Sequence, residues 1–255
     1  MAAHDQELTG LRAVVTGSSR GIGRAIALSL ARGGADVVVH YHRSRPEVER
    51  VAAEIASLGR RAPIVQADLS RDDEARRLVD DAWQQLGGVE IWVNNAGADV
   101  LTGPAASGSF DEKLQRLLDV DVKSTILLSR MVGERMRTAG GGVILNMGWD
   151  RAQTGMEGDS GQLFSATKGA VMAFTKSLAL EFAPEVRANC LAPGWIQTTW
   201  GRAASEKWHR RVVRETPLAR WGTPEDVGAA ARFLASPAAA FITGQVVHVN
   251  GGGVR

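Results

Sequence analysis

Seven short runs rich in β-branched and apolar residues, at 12–16, 36–41, 62–67, 89–94, 142–147, 186–192 and 245–250, alternate with longer segments of helical period. Strands that pair in parallel need a long crossover between them, and a helix supplies it, so the alternation predicts an α/β chain with a parallel sheet wrapped by helices. Between the second and third runs Pro46 can open a helix, where Val48, Val51, Ala52 and Ile55 recur at three and four to make one apolar stripe. After the third run Ser70 can cap a helix with Asp72 and Asp73 in its first turn and Ala75, Leu78, Val79, Ala82 and Leu86 on its buried face. Two longer helices are expected over 111–137 and 162–182, and Thr223, Pro224 and Asp226 form a start signal for a last one over 227–235. The chain shows no repeat, low-complexity tract or linker, so residues 1–255 are expected to form a single domain. The long connection at 194–217, carrying Trp195, Trp200 and Trp208, reads either as a substrate lid or as a surface excursion without a role.

Composition narrows the function classes. Lys and Arg number 30 against 28 Asp and Glu, and the basic residues are scattered among the acids, so no nucleic-acid partner is expected. Cys190 is the single cysteine, which excludes an internal disulfide and a cysteine zinc cluster, and no metal is expected. The opening MAAHDQELTG is acidic where a secretion signal would be basic and then apolar, and no later stretch approaches a membrane span. A cytoplasmic protein acting on a small-molecule substrate is the expectation.

The first strand runs into Thr16-Gly17-Ser18-Ser19-Arg20-Gly21-Ile22-Gly23 and then an apolar helix. Glycines there let backbone amides at a helix N-terminus approach a pyrophosphate, which the helix dipole also favours. The spacing resembles that of the short-chain dehydrogenase/reductase family. The likeness continues through Asp68, Asn94-Asn95-Ala96-Gly97, Lys168 and Pro193-Gly194-x-Ile196-x-Thr198. That resemblance implies a doubly wound, Rossmann-type sheet of seven parallel strands, and a tetramer of identical chains. It implies that Gly17, Ser19, Gly21, Ile22 and Gly23 wrap the pyrophosphate and that Asp68 and Leu69 hold the adenine. Asn95, Ala96 and Gly97 would line the adenosine ribose, Lys168 would hydrogen-bond the nicotinamide ribose, Thr198 would reach the nicotinamide amide, and Pro193, Gly194 and Ile196 would complete the cofactor-binding set. An acid about 20 residues beyond the glycines would bind a ribose 2′-hydroxyl and repel a 2′-phosphate. None stands there; His42, Arg43 and Ser44 follow the second strand and Arg20 sits in the glycine loop, so NADP(H) is expected.

The same resemblance exposes an altered catalytic set. The family's proton-donating tyrosine, four residues before Lys168, is Phe164, and the sole tyrosine of the chain is Tyr41 in the second strand. In place of the carbonyl-polarising serine after the fifth strand stands Trp149 or, by a shifted alignment, Asp150. Asp121 occupies the position of an asparagine in the long helix. A positioned general acid is worth about 10²–10⁴ in rate and a polarising donor about 10²–10³. Two readings therefore stay open: an oxidoreductase with another proton donor acting on an apolar or planar carbonyl, imine or enone, or a silent NADP(H)-binding sensor or partner subunit. For the enzyme, Asp150 is the first candidate donor, followed by Glu157, Asp159 and Asp121. Asp121 has a plainer alternative as an ion-pair partner of Lys168.

Overall fold

Side chains alternate across a strand, so each strand of a sheet covered on both faces must be apolar at every position. Most strand positions of this chain meet this demand, with polar exceptions such as His40, Asn94, Asn146 and Asn189. In the computed structural model, which describes residues 6–254, β1 (Arg12–Val15), β2 (Asp36–Tyr41), β3 (Ile64–Gln66), β4 (Ile91–Asn94), β5 (Gly142–Met147), β6 (Val186–Pro193) and β7 (Val246–Val249) form one parallel sheet in the order β3-β2-β1-β4-β5-β6-β7. Residues 1–5, part of the segment read above for a secretion signal, and Arg255 lie outside the described residues. Ala13, Val15, Val37, Val39, Ile91, Val93 and Leu145 bury one face of the sheet under α1 (Gly21–Arg32), α2 (Arg45–Ser57) and α9 (Pro224–Ala235). Val14, Val38, Trp92, Ile144 and Ala188 bury the other under α3 (Asp72–Leu86), α5 (Ser124–Ala139) and α6 (Asp159–Phe182). This is the doubly wound arrangement that the family resemblance implies.

Two helix boundaries differ from expectation. Ser70 does not cap α3: its hydroxyl donates to Asp68 Oδ1 at 2.7 Å, and the helix starts two residues later behind Arg71, without a side-chain cap. The segment expected as one helix over 111–137 is α4 (Phe110–Leu117) and α5 joined by a π-helical stretch, Leu118–Lys123. π-helical turns in longer helices recur at functional sites, and this one carries Asp121. α4 begins at a Ser109/Glu112 capping box, and Thr223 with Asp226 forms the one expected before α9.

The 194–217 connection contains α7 (Thr199–Ala203) and α8 (Glu206–Glu215). Among the described residues no helix is long and apolar enough to cross a membrane.

Candidate active site

Strand order reverses between β1 and β4, and there the carboxyl ends of the strands open into a cleft of about 1320 Å³. Thr16, at the end of β1, fixes its floor. The Thr16 hydroxyl accepts from the Asn95 and Ala96 amides, both at 2.9 Å, while Asn95 Nδ2 donates to the Thr16 and Gly17 carbonyls at 2.9 and 3.2 Å. Glycine is required where these loops meet: a Cβ on Gly23 would lie 2.3 Å from the Gly17 carbonyl oxygen and 2.4 Å from Asn95 Nδ2. α1 starts behind Arg20 with no side-chain cap, so its first amides face the cleft as an anion site.

One end of the cleft is basic. Arg20, His42, Arg43 and Ser44 line it with Asp68 and Leu69, and His42 Nε2 stands 3.4 Å from Asp68 Oδ2. Burial pushes the Asp68 carboxyl up, but hydrogen bonds from the Ser70 hydroxyl and amide and the charges of His42 and Arg43 outweigh it and hold the group below its ordinary value. Tyr41 lies at this end too, its hydroxyl donating to Gln66 Oε1 at 3.3 Å, far in the fold from the catalytic positions.

The other end gathers Asp121, Phe164, Lys168, Thr198 and Trp200. Lys168 Nζ lies 2.8 Å from Asp121 Oδ2, with their side chains 13% and 2% exposed, so the plain ion-pair reading of Asp121 is the one the structure adopts. Asp121 Oδ1 accepts the Ala98 amide at 2.7 Å, which locks the carboxylate. Beneath this pair a buried network ties α5 and α6 to the sheet: Asn94 Nδ2 donates to Asn146 Oδ1 and Ser129 Oγ, both at 2.9 Å, and Asn146 Nδ2 donates to Thr175 Oγ1 at 3.0 Å.

Five expected site residues are not on the cleft. Trp149 meets Phe164 edge-on at 6.1 Å from behind. The short 3₁₀ turn Asp150–Ala152 aims Asp150 at the C-terminal segment, where it is 2% exposed and its Oδ2 accepts from Asn250 Nδ2 at 3.3 Å. Burial does push its carboxyl up, against the Asn250 hydrogen bond and the Arg151 charge, yet the acid faces the wrong way to serve a substrate in the cleft. Pro193, Gly194 and Ile196 act indirectly: Pro193 ends β6, the Gly194 amide donates to the Val249 carbonyl at 3.1 Å, and Ile196 bridges to Gly222, which together aim Thr198 inward. A Cβ on Gly194 would come within 2.7 Å of Asn250 Cβ. Of the other acids, Glu157 is 88% exposed beside Arg211 at 3.8 Å, and Asp159 is exposed in the first turn of α6.

The 194–217 connection is built on its own aromatic cluster. Trp195 lies 5.9 Å from Trp200, 5.1 Å from Trp208 and 6.4 Å from Trp221. Arg151 bridges this connection to the end of β5, pairing with Glu215 at 2.8 Å and covering Trp195 at 5.2 Å. Of the three tryptophans in this connection, Trp200 lines the cleft, while Trp195 and Trp208 pack on one another at 5.1 Å away from it.

Sequence reasoning missed His40. This histidine is 2% exposed, its Nδ1 accepts the Gly17 amide at 2.9 Å and its Nε2 lies 3.0 Å from the Ala67 carbonyl. The signal available was a histidine in an otherwise apolar buried strand.

A family model described as enoyl-(acyl carrier protein) reductase matches residues 17–253. The 3-oxoacyl-[acyl-carrier-protein] reductase of Synechocystis sp. is 38% identical over 248 residues, covering 96% of this chain and 97% of the relative. A short-chain dehydrogenase of Burkholderia cenocepacia, solved in complex with NADP, superposes with a TM-score of 0.88 at 32% identity, over 97% of this chain and 99% of its own. A 7α-hydroxysteroid dehydrogenase, solved with NADH and 7-oxo glycochenodeoxycholic acid, gives 0.89 at 32% identity, over 100% and 98%.

Proposed function

Because the chain belongs to the short-chain dehydrogenase/reductase family, we propose that its cleft binds NADP(H) and that it reduces an apolar or planar carbonyl, imine or enone with Lys168 as the proton donor. The observation that carries this reading is the cleft itself: uncapped amides of α1 at its middle, basic side chains at one end and the Lys168–Asp121 pair at the other. A dinucleotide with its pyrophosphate at α1 and a 2′-phosphate beside Arg43 has the remaining end for its nicotinamide. The B. cenocepacia relative, solved with NADP, supports the choice of cofactor.

When bound, NADPH supplies a hydride to the unsaturated carbon. Lys168 Nζ then gives a proton to the atom that takes the π electron pair, and solvent at the cleft mouth restores it. Asp121 holds the ammonium in place. Phe164, Trp200, Val100 and Leu101 line this end and favour an apolar or planar substrate. With no tyrosine at 164 and no serine at 149 or 150, activated substrates such as imines and enones suit the site better than plain ketones.

We also propose a homo-oligomer, supported by the apolar groove that Leu118, Val122, Ile126 and Met131 leave along the α4–α5 face. The test of function follows NADPH absorbance with ketones, imines and enones, using the native chain and Lys168→Met. Turnover by the native chain that falls about a hundredfold or more in the variant is expected; tight NADPH binding without turnover of any substrate favours a silent binding protein instead.

A further inference from the structure

Asp121 is a buried acid at a place where the proton transfer above needs only a lysine. Its carboxylate is held at both oxygens, Oδ1 by the Ala98 amide at 2.7 Å and Oδ2 by Lys168 Nζ at 2.8 Å. Of the other titratable groups lining the cleft away from its basic end, Asp99, Glu112 and Arg116 are exposed and Asp119 is half-buried, so water and salt screen them more than the buried pair. The buried charge facing a ring in this half of the cleft is therefore that of the pair, and it sums to zero.

That sum matters because the nicotinamide ring carries a positive charge in NADP+ and none in NADPH. An uncompensated ammonium would repel the oxidised ring and leave the reduced one untouched. We propose that Asp121, by cancelling the Lys168 charge, determines the oxidation state that the cleft favours, shifting it toward NADP+ relative to NADPH. Compared with a lone ammonium, the neutral pair lets NADP+ bind more tightly and so keeps the potential of the bound couple lower, which leaves the bound reduced form the stronger hydride donor. Asp121 thus spares the transfer a penalty that Lys168 alone would impose. This inference rests on the cofactor reading given above.

The experiment measures dissociation constants for NADP+ and NADPH by calorimetry in the native chain, Asp121→Asn, Lys168→Met and the double variant. A unit charge a few ångströms from the ring in a partly buried cleft implies a change of about tenfold or more in the ratio Kd(NADP+)/Kd(NADPH). The ratio should rise in Asp121→Asn, fall in Lys168→Met and return close to the native value in the double variant. A merely structural role for Asp121 moves both constants together and leaves the ratio fixed; that result overturns the proposal. Should Asp121→Asn not fold, the opposite shift in Lys168→Met carries the test, and an unchanged ratio there overturns the proposal equally. Failure of the native chain to bind either form would instead sink the cofactor reading.

Discussion

His40 Nδ1 accepts the Gly17 amide at 2.9 Å, so a side chain from β2 fixes the glycine loop that opens α1. A backbone amide can only donate, which makes Nδ1 the unprotonated nitrogen and Nε2 the donor to the Ala67 carbonyl, 3.0 Å away. One neutral imidazole thereby joins the ends of β1, β2 and β3 beside the cleft.

Burial lowers the His40 pKa to about 4, against a hydrogen bond to Ala67 that works the other way. The unfolded chain, with an ordinary histidine near 6.5, binds more protons between these values, so stability falls as pH drops through that window. Between pH 7.5 and 5 this one group should cost about 2 kcal/mol. Urea denaturation of the native chain and His40→Asn at both pH values checks it: the drop shrinks in the variant by about that amount. NADPH affinity at pH 7.5 should also weaken several-fold in His40→Leu, which cannot hold the Gly17 amide.

Asp150 should be dispensable for chemistry. Asp150→Asn is expected to keep native turnover within about twofold, since the side chain faces Asn250 and lies off the cleft. Its folded carboxyl is raised by burial, so the native acid is favourable when protonated and loses that contribution as pH rises through its folded value. Asp150→Asn should accordingly be at least as stable as the native chain at pH 7.5, with the margin narrowing toward pH 4. Thermal melts across that range and steady-state rates check both parts.

Restoring a tyrosine alone should do little. Phe164→Tyr supplies a hydroxyl on the cleft near Lys168 but leaves Trp149 edge-on behind it and no polarising hydroxyl. Ketone reduction is expected to rise less than about tenfold in Phe164→Tyr, and little further once Trp149→Ser is added, because position 149 lies off the cleft. Rates of NADPH oxidation with a ketone series in the two single variants and the double variant decide this.

Trp200 is the tryptophan of the 194–217 connection that reaches the cleft. Trp200→Ala should raise KM for apolar substrates about tenfold while NADPH affinity stays within about twofold, because the aromatic wall is lost and the pyrophosphate and 2′-phosphate contacts are not. Equal losses in both would show that the lid serves the cofactor.

Much of this architecture was legible because it is written in local patterns. The β-branched runs that fill both faces of the sheet, the capping box at Thr223 and Asp226, and the glycine loop each signal their structure through neighbouring residues. Of the residues expected to bind cofactor, those in the glycine loop, after β2, after β3 and after β4 do line the cleft. What the sequence hides is direction and distance. The turn after β5 sends Asp150 toward Asn250, which lies 100 residues later, and no local spacing encodes that contact. The tryptophans of the 194–217 connection pack against one another because Trp221, beyond that connection, completes their cluster. Asp121 was readable as an ion-pair partner for Lys168, but the π-helical stretch and the Ala98 amide that hold it there needed the folded chain.

The central claim, an NADP(H)-specific cleft, is tested most directly by calorimetric titration of the native chain and Arg43→Ala with NADPH and NADH. NADPH should bind the native chain at least about tenfold more tightly than NADH, roughly 1.4 kcal/mol, and Arg43→Ala should narrow that gap by weakening NADPH. Equal affinities, a preference for NADH, or no binding of either would contradict the account.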